Sequence, residues 1–254
     1  MNSVTMGLVI FASAFGGALL GLFLSSILPE HHLSKESKDA IKMGAGFIAT
    51  LTALVLGLMI SSAKDSFDLI NNAMSQGSSR IILLDRVLAR YGPETKPIRE
   101  DLRRSVAFTL ETIWGKRGKE WAGKIRAFEA KARMEDIQDE VRGLVPQNDV
   151  QRSFQSQAIG LTDELLQMRW LTIEQTQFSL PTPFFVVLSF WLAALFVSTG
   201  LLASRNTTVL MVLFVCAISI SGAVFLIYEM NHPLGGIIQV SKKPLLKTLE
   251  YLGK

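Results

Sequence analysis

Four uncharged stretches constrain what this chain can fold into more than any other feature. Residues 1–29, 43–63, 175–204 and 206–228 contain no Lys, Arg, Asp or Glu, so all 26 basic and 22 acidic residues of the 254-residue chain lie elsewhere. An α-helix needs about 20 apolar residues to cross the roughly 30 Å hydrocarbon core of a bilayer, and each stretch is long enough to do so. The sequence therefore predicts an integral membrane protein and excludes an ordinary soluble domain.

The stretches predict transmembrane helices at residues 4–28, 43–63, 182–203 and 206–228. We interpret the first as a membrane span and not as a signal peptide, because it lacks a basic amino-terminal region and a small-x-small cleavage site. The single cysteine, Cys216, lies in the fourth span and excludes an intrachain disulfide.

Four crossings place both termini and residues 64–177 on one side of the membrane. That side carries 22 Lys and Arg residues and the other side carries 4, which favours a cytoplasmic location and the cell inner membrane. The fold prediction is an all-α integral membrane protein with a helical cytoplasmic domain inserted between the second and third spans. The predicted segments are residues 1–63 (spans one and two), 64–177 (cytoplasmic helices), 178–229 (spans three and four) and 230–254 (interfacial loop and tail).

The central region has helical periodicity. Apolar residues recur every three or four positions at Ile98, Leu102, Val106, Leu110 and Ile113. Gly92-Pro93 predicts the end of one helix, and Thr95 predicts the amino-terminal cap of the next. Between Ala63 and Tyr91 only Gly77 and polar residues interrupt the apolar helical pattern, so that span can continue as one long helix.

Small and polar residues form a stripe along one face of the second span. Its members are spaced by three or four positions and are Gly46, Thr50, Ala53, Gly57, Ser61 and Lys64. One interpretation is close helix packing, which small residues permit in membranes. The other is the lining of a pore, with Lys64 as a charged ring at its cytoplasmic mouth. A similar stripe in the first span, containing Gly17-x-x-x-Gly21, predicts helix packing alone.

Residues at the predicted membrane boundary have two interpretations. Glu229 and Lys64 are helix-end charges that reach water, or they pair with each other. His232 lies in an uncharged, largely apolar segment, residues 230–241, which either lies at the membrane interface or packs against the cytoplasmic helices.

Sequence motifs for catalysis, cofactors and metals are weak. Adjacent histidines, His31 and His32, point in different directions on a helix and do not form a typical metal site. The sequence contains no nucleophile motif and no phosphate-binding glycine loop, so we expect neither an enzyme nor a cofactor. A basic cluster from Lys116 to Arg126 is typical of a solvated face near lipid headgroups, and we expect no nucleic-acid partner.

Several local strings resemble the bestrophin-like membrane family of bacteria and plants, long classed as a domain of unknown function. They are ATLTALVLGL (residues 49–58), AKDSFD (63–68), LDRVLARYGPE (84–94), the third-span residues 191–200, and NHPLGG (231–236) with Ser241. LDRVLARYGPE is the most specific string. The family more often has an acidic residue and Phe where this chain has His232 and Leu234.

The resemblance implies four spans with a helical cytoplasmic part, and kinship with oligomeric anion channels. Together with the stripe, it leads to the hypothesis of a homo-oligomeric ion channel that favours anions, in contact with membrane lipids and inorganic ions. Asp85, Arg86 and Arg90 are predicted to have structural roles in the cytoplasmic assembly. The alternative is a non-conducting scaffold or signalling protein that acts through its cytoplasmic helices.

Overall fold

The computed structural model describes residues 3–29, 34–114, 125–177 and 182–253. Across these ranges the protein is helical and contains no strand. The helices are α1 (Ser3–Ile27), α2 (Lys35–Tyr91), α3 (Lys96–Trp114), α4 (Ile125–Arg142), α5 (Asp149–Gln177), α6 (Thr182–Leu202), α7 (Thr207–Met230) and α8 (Lys243–Tyr251), with a 3₁₀ turn at Pro93–Thr95. The prediction of an all-helical chain is confirmed.

Four of these helices, α1, α2, α6 and α7, are long and apolar enough to cross a membrane. Three of them begin and end within about two residues of the predicted spans. The exception is α2, which starts at Lys35 and continues without a break to Tyr91. The prediction that the second span extends as one long helix is thus confirmed.

The first of two compact units comprises Met1–Asp65 and Leu180–Asn231, and in it α1 packs against α6 and α7. The close approach of α1 and α6 depends on glycine, because a Cβ added at Gly21 or Gly200 would overlap the backbone of the other helix. Ser221 Oγ donates a hydrogen bond of 2.6 Å to the Gly7 carbonyl and links α7 to α1. The packing role predicted for the stripe of the first span is confirmed.

The second unit comprises Ser66–Ser179 and His232–Lys254, in which α3 packs against α4 and α8, and α4 packs against α5. The apolar face predicted for α3 contributes Ile98, Leu102 and Val106 to its core. Leu84 and Leu88 of α2 belong to the same buried cluster. Periodicity alone therefore identified the buried face of α3.

The turn between α2 and α3 differs from its prediction at Thr95. The single O–H of Thr95 is shared between two carbonyl acceptors, with Oγ1 2.6 Å from the Leu88 oxygen and 2.8 Å from the Gly92 oxygen. It therefore satisfies acceptors at the end of α2, and the predicted cap of the next helix was wrong. Gly92 has a φ of 154°, which L side chains rarely adopt, so glycine is required at this position.

The segment after α7 is tied into the second unit. Val240 donates its backbone N–H to the Pro233 carbonyl at 3.0 Å, and the Trp114 indole donates to the Val240 carbonyl at 3.2 Å. In α8, Leu245 lies in the core and the Thr248 hydroxyl donates to the Ser78 carbonyl at 3.3 Å. These contacts favour a tail packed against the helices of the second unit over a segment at the membrane interface.

Candidate functional site

The membrane segment of α2 is the least covered of the four apolar helices. In the most apolar 18-residue stretch of α2, only 11% of the residues are buried. The corresponding shares are 33% for α1, 28% for α6 and 22% for α7. Apolar surface in a bilayer is not driven inward by water, so exposure to lipid is ordinary. What distinguishes α2 is the composition of its uncovered surface.

One face of α2 packs inside the first unit. Thr52, Met59 and Ala63 are buried, and the last two share a cluster with Met6 and Ile10 of α1. The Thr52 hydroxyl donates to the Ile48 carbonyl of its own helix at 2.7 Å, which satisfies its polar group. This face anchors α2 and sets which of its other faces point outward.

The predicted stripe lies on the uncovered side. Gly46, Thr50, Ala53, Gly57, Ser61 and Lys64 are all exposed. A Cβ added at Gly46 or Gly57 would have no atom within 4 Å, in contrast to Gly21 in α1. At about 100° per residue, the centre of the stripe is about 135° from the buried face. At Gly46 and Gly57 the stripe therefore packs against no other described helix of its own chain, and lipid, a second copy or a lumen is left to cover it there.

Two different surfaces adjoin on the uncovered side of α2. The stripe is small and polar, and the Thr50 hydroxyl donates to the Gly46 carbonyl at 3.0 Å. Next to it lie bulky apolar side chains, with Phe47 69%, Leu54 60% and Leu58 63% exposed. Lys64 stands at the end of the stripe and is exposed, as is Asp65. A helix with these two faces can place one against apolar neighbours and the other against water.

A buried ion pair stabilises the second unit. Asp85 is 1% exposed and accepts two hydrogen bonds from Arg99, from Nε at 2.7 Å and from Nη2 at 3.0 Å. This forked geometry is the strong form of the Arg–carboxylate contact, and the hydrogen bond to Asp85 raises the pKa of Arg99. Arg86 is half-buried and Arg90 is exposed. The role of Asp85, Arg86 and Arg90 in an assembly stays a prediction.

Sequence reasoning missed Arg99, although a signal for it exists. Gly92 and Pro93 break the helix, so α2 and α3 form a helical hairpin. Asp85 and Arg99 each lie seven residues, or two helical turns, from Gly92. Oppositely charged residues placed symmetrically about a helical turn are candidates for a pair, and this pair forms.

Residues 12–245 match the Bestrophin-like domain, which covers nearly the whole chain. The chain belongs to the Bestrophin-like family. Membership of this family suggests that the bestrophin-like chain functions as a kind of membrane ion channel. It also gives loose support to a homo-oligomer. No curated protein and no solved structure matches it.

The boundary residues of this bestrophin-like chain lie in different surroundings. Glu229, in the last turn of α7, is 1% exposed. His232 is exposed, and its carbonyl accepts backbone hydrogen bonds from Gly235 and Gly236. The ion pair between Lys64 and Glu229 stays a prediction.

Two of the sequence predictions lie outside the described residues. These are the His31-His32 pair and most of the basic cluster from Lys116 to Arg126, whose side chains are not described. Within the ranges that the structure covers, no group of three His, Cys, Asp or Glu side chains could hold a metal ion.

Proposed function

We propose that this bestrophin-like chain forms a homo-oligomeric membrane ion channel that favours anions, with α2 lining the pathway. The observation that carries the proposal is the exposed stripe from Gly46 to Ser61, which ends at Lys64. Several copies are needed, because one helix cannot enclose a lumen. Copies of α2 arranged around an axis would turn the stripe inward.

The chemistry of the stripe suits ion passage. Small side chains leave space, and the Thr50 hydroxyl oxygen, whose O–H donates to the Gly46 carbonyl, can accept a hydrogen bond from water. The bulky sector at Phe47, Leu54 and Leu58 would then contact neighbouring subunits or lipid. One lysine from each subunit would form a positive ring that concentrates anions, because low-dielectric walls focus its field.

The proposal also includes the orientation of the protein in the membrane and a transport function without catalysis. Both termini and the second unit lie in the cytoplasm, an orientation that the count of basic residues supports, and the membrane is the cell inner membrane. We assign no catalytic activity, because ion passage requires none.

Recording from planar bilayers tests the channel directly. Purified homogeneous oligomer is fused into bilayers under gradients of chloride and potassium. We expect a conductance whose reversal potential follows chloride. Absence of any conductance would contradict the channel and favour the non-conducting scaffold.

Cysteine accessibility tests which face of α2 lines the pathway. In a Cys216→Ser background, Ser61→Cys places a thiol on the stripe, and Leu58→Cys places a matched thiol on the exposed bulky sector. A water-soluble, charged thiol reagent should reduce the conductance of Ser61→Cys and leave that of Leu58→Cys unchanged. Equal effects on both variants, or none on Ser61→Cys, would contradict the assignment of α2.

A further inference from the structure

A cavity of about 440 Å³ opens in the first unit between the end of α1 and the start of α7. Its walls combine the apolar side chains Leu19, Leu22, Phe23 and Leu210 with the polar residues Arg205 and Asn206. This volume is within the range of about 300–1,000 Å³ that small-molecule sites occupy. The cavity lies outside the α2 stripe and has no part in the proposed pathway.

Among the described residues that line the cavity, Arg205 is the only charged one. It is also the only charged residue between positions 175 and 228 of the sequence. Arg205 Nη2 donates a hydrogen bond of 2.6 Å to the Leu22 carbonyl near the end of α1. A guanidinium has five N–H donors, so this bond holds the side chain in place and uses only one of them.

The turn that carries Arg205 has a defined shape. The Asn206 side chain caps α7 by accepting a hydrogen bond of 2.8 Å from the Val209 backbone N–H. Both α6, which ends at Leu202, and α7, which begins at Thr207, are apolar enough to cross a membrane. Arg205 therefore lies between two membrane helices, at the depth where lipid headgroups meet water.

The apolar wall of the cavity is open. Leu19 is 44% exposed and Phe23 is 60% exposed, and both lie in the apolar helix α1, whose outer surface contacts acyl chains in a bilayer. A molecule that fills the cavity must therefore pair with the Arg205 cation at one end and pack against apolar side chains at the other. A free inorganic anion satisfies only the cation.

We propose that this cavity binds an anionic phospholipid, with the phosphate on Arg205 and an acyl chain along Leu19, Phe23 and Leu210. The described lining residues include no Asp or Glu, so the positive charge of Arg205 is complementary to an anionic headgroup. An exposed ion pair contributes up to about 1 kcal/mol, which corresponds to a preference of about fivefold for an anionic over a zwitterionic lipid.

Native mass spectrometry of the delipidated oligomer measures this preference. The protein is titrated with dioleoyl phosphatidylglycerol or with dioleoyl phosphatidylcholine, and the bound lipids are counted per subunit. Wild type should bind phosphatidylglycerol about fivefold more tightly. Equal binding of the two lipids would overturn the proposal.

Two variants separate the charge from the cavity. Arg205→Gln removes the charge and keeps an N–H donor for the Leu22 carbonyl, so the preference for phosphatidylglycerol should disappear. Leu210→Trp fills the cavity, keeps Arg205, and should weaken the binding of both lipids. Lys42→Gln, at an exposed lysine outside the cavity, is the matched control and should bind like wild type.

Each remaining outcome has a defined meaning. If Arg205→Gln fails to assemble, Leu210→Trp decides alone, and wild-type lipid binding by that variant would overturn the proposal. Displacement of phosphatidylglycerol by millimolar inorganic phosphate would show a site for free anions. Absence of lipid binding by the wild-type oligomer would overturn the proposal.

Discussion

Asp85 and Arg90 lie five positions apart on α2, but only Asp85 is buried. Asp85→Ala would leave the Arg99 guanidinium, 19% exposed, without its carboxylate partner. Removing one member of a buried pair costs about 3–5 kcal/mol, and the partial exposure of Arg99 places this case near 3 kcal/mol. Thermal unfolding in detergent should therefore show a clear loss of stability. Arg90→Ala is the matched control and should change stability by less than about 0.5 kcal/mol.

The pattern of residues around Asp85 predicted a charged group on a helix with an apolar face, but it did not identify the partner. Sequence spacing favours partners three or four positions away on the same helix. The actual partner, Arg99, lies across the hairpin made by Gly92 and Pro93. A partner on another helix depends on how two helices face each other, and local periodicity does not contain that information. A wild-type melting temperature for Asp85→Ala would contradict the importance of this pair.

Among helices, the contact of α1 with α6 gives the sharpest prediction. A Cβ at Gly21 would overlap the Val197 backbone, whereas a Cβ at Gly16, in the same helix, would meet no atom within 4 Å. Gly21→Ala should push α1 and α6 apart and destabilise the first unit by about 1–3 kcal/mol. Gly16→Ala should be neutral or slightly stabilising, because alanine favours the helix by up to about 1 kcal/mol. Thermal unfolding of the two variants measures the difference, and equal melting temperatures would show that the helices do not need this close approach.

The helices themselves were predictable from sequence. The length of each uncharged stretch and the spacing of its apolar residues are local properties of the chain. The ends of α6 and α7 are set by Arg205 and Asn206, which interrupt a long apolar run. Pairing of helices was only partly predictable. The Gly17-x-x-x-Gly21 motif identified the packing face of α1, but nothing local identified Gly200 on α6 as its counterpart. The stripe of α2 has the same helical spacing of small residues as that of α1, yet its glycines meet no other helix of the chain.

At the scale of the whole molecule, the exposed stripe of α2 cannot enclose a pathway in one chain, whereas several copies could enclose one. One copy buries the face of α2 at Met59 and Ala63 and leaves the opposite small-residue face exposed. The sequence alone could not show this, since small residues at helical spacing suit packing and pore lining equally well. In the proposed channel, an oligomer is the arrangement that would turn this exposed face towards water.

Lys64 is the residue through which the assembly would select ions. A lysine ring near one end of the pathway should raise the local concentration of anions, by about tenfold or more for a focused field. Lys64→Glu reverses the sign of the ring and should shift the reversal potential towards that of potassium. Recording at about 0.01 M salt, where the screening length is about 30 Å, makes the effect easiest to see. Lys247→Glu makes the same charge change at an exposed site in α8 and should keep the wild-type reversal potential. If Lys64→Glu also keeps the wild-type reversal potential, Lys64 does no more than mark the end of the apolar segment of α2 at the membrane surface. The stripe would then not be the anion pathway.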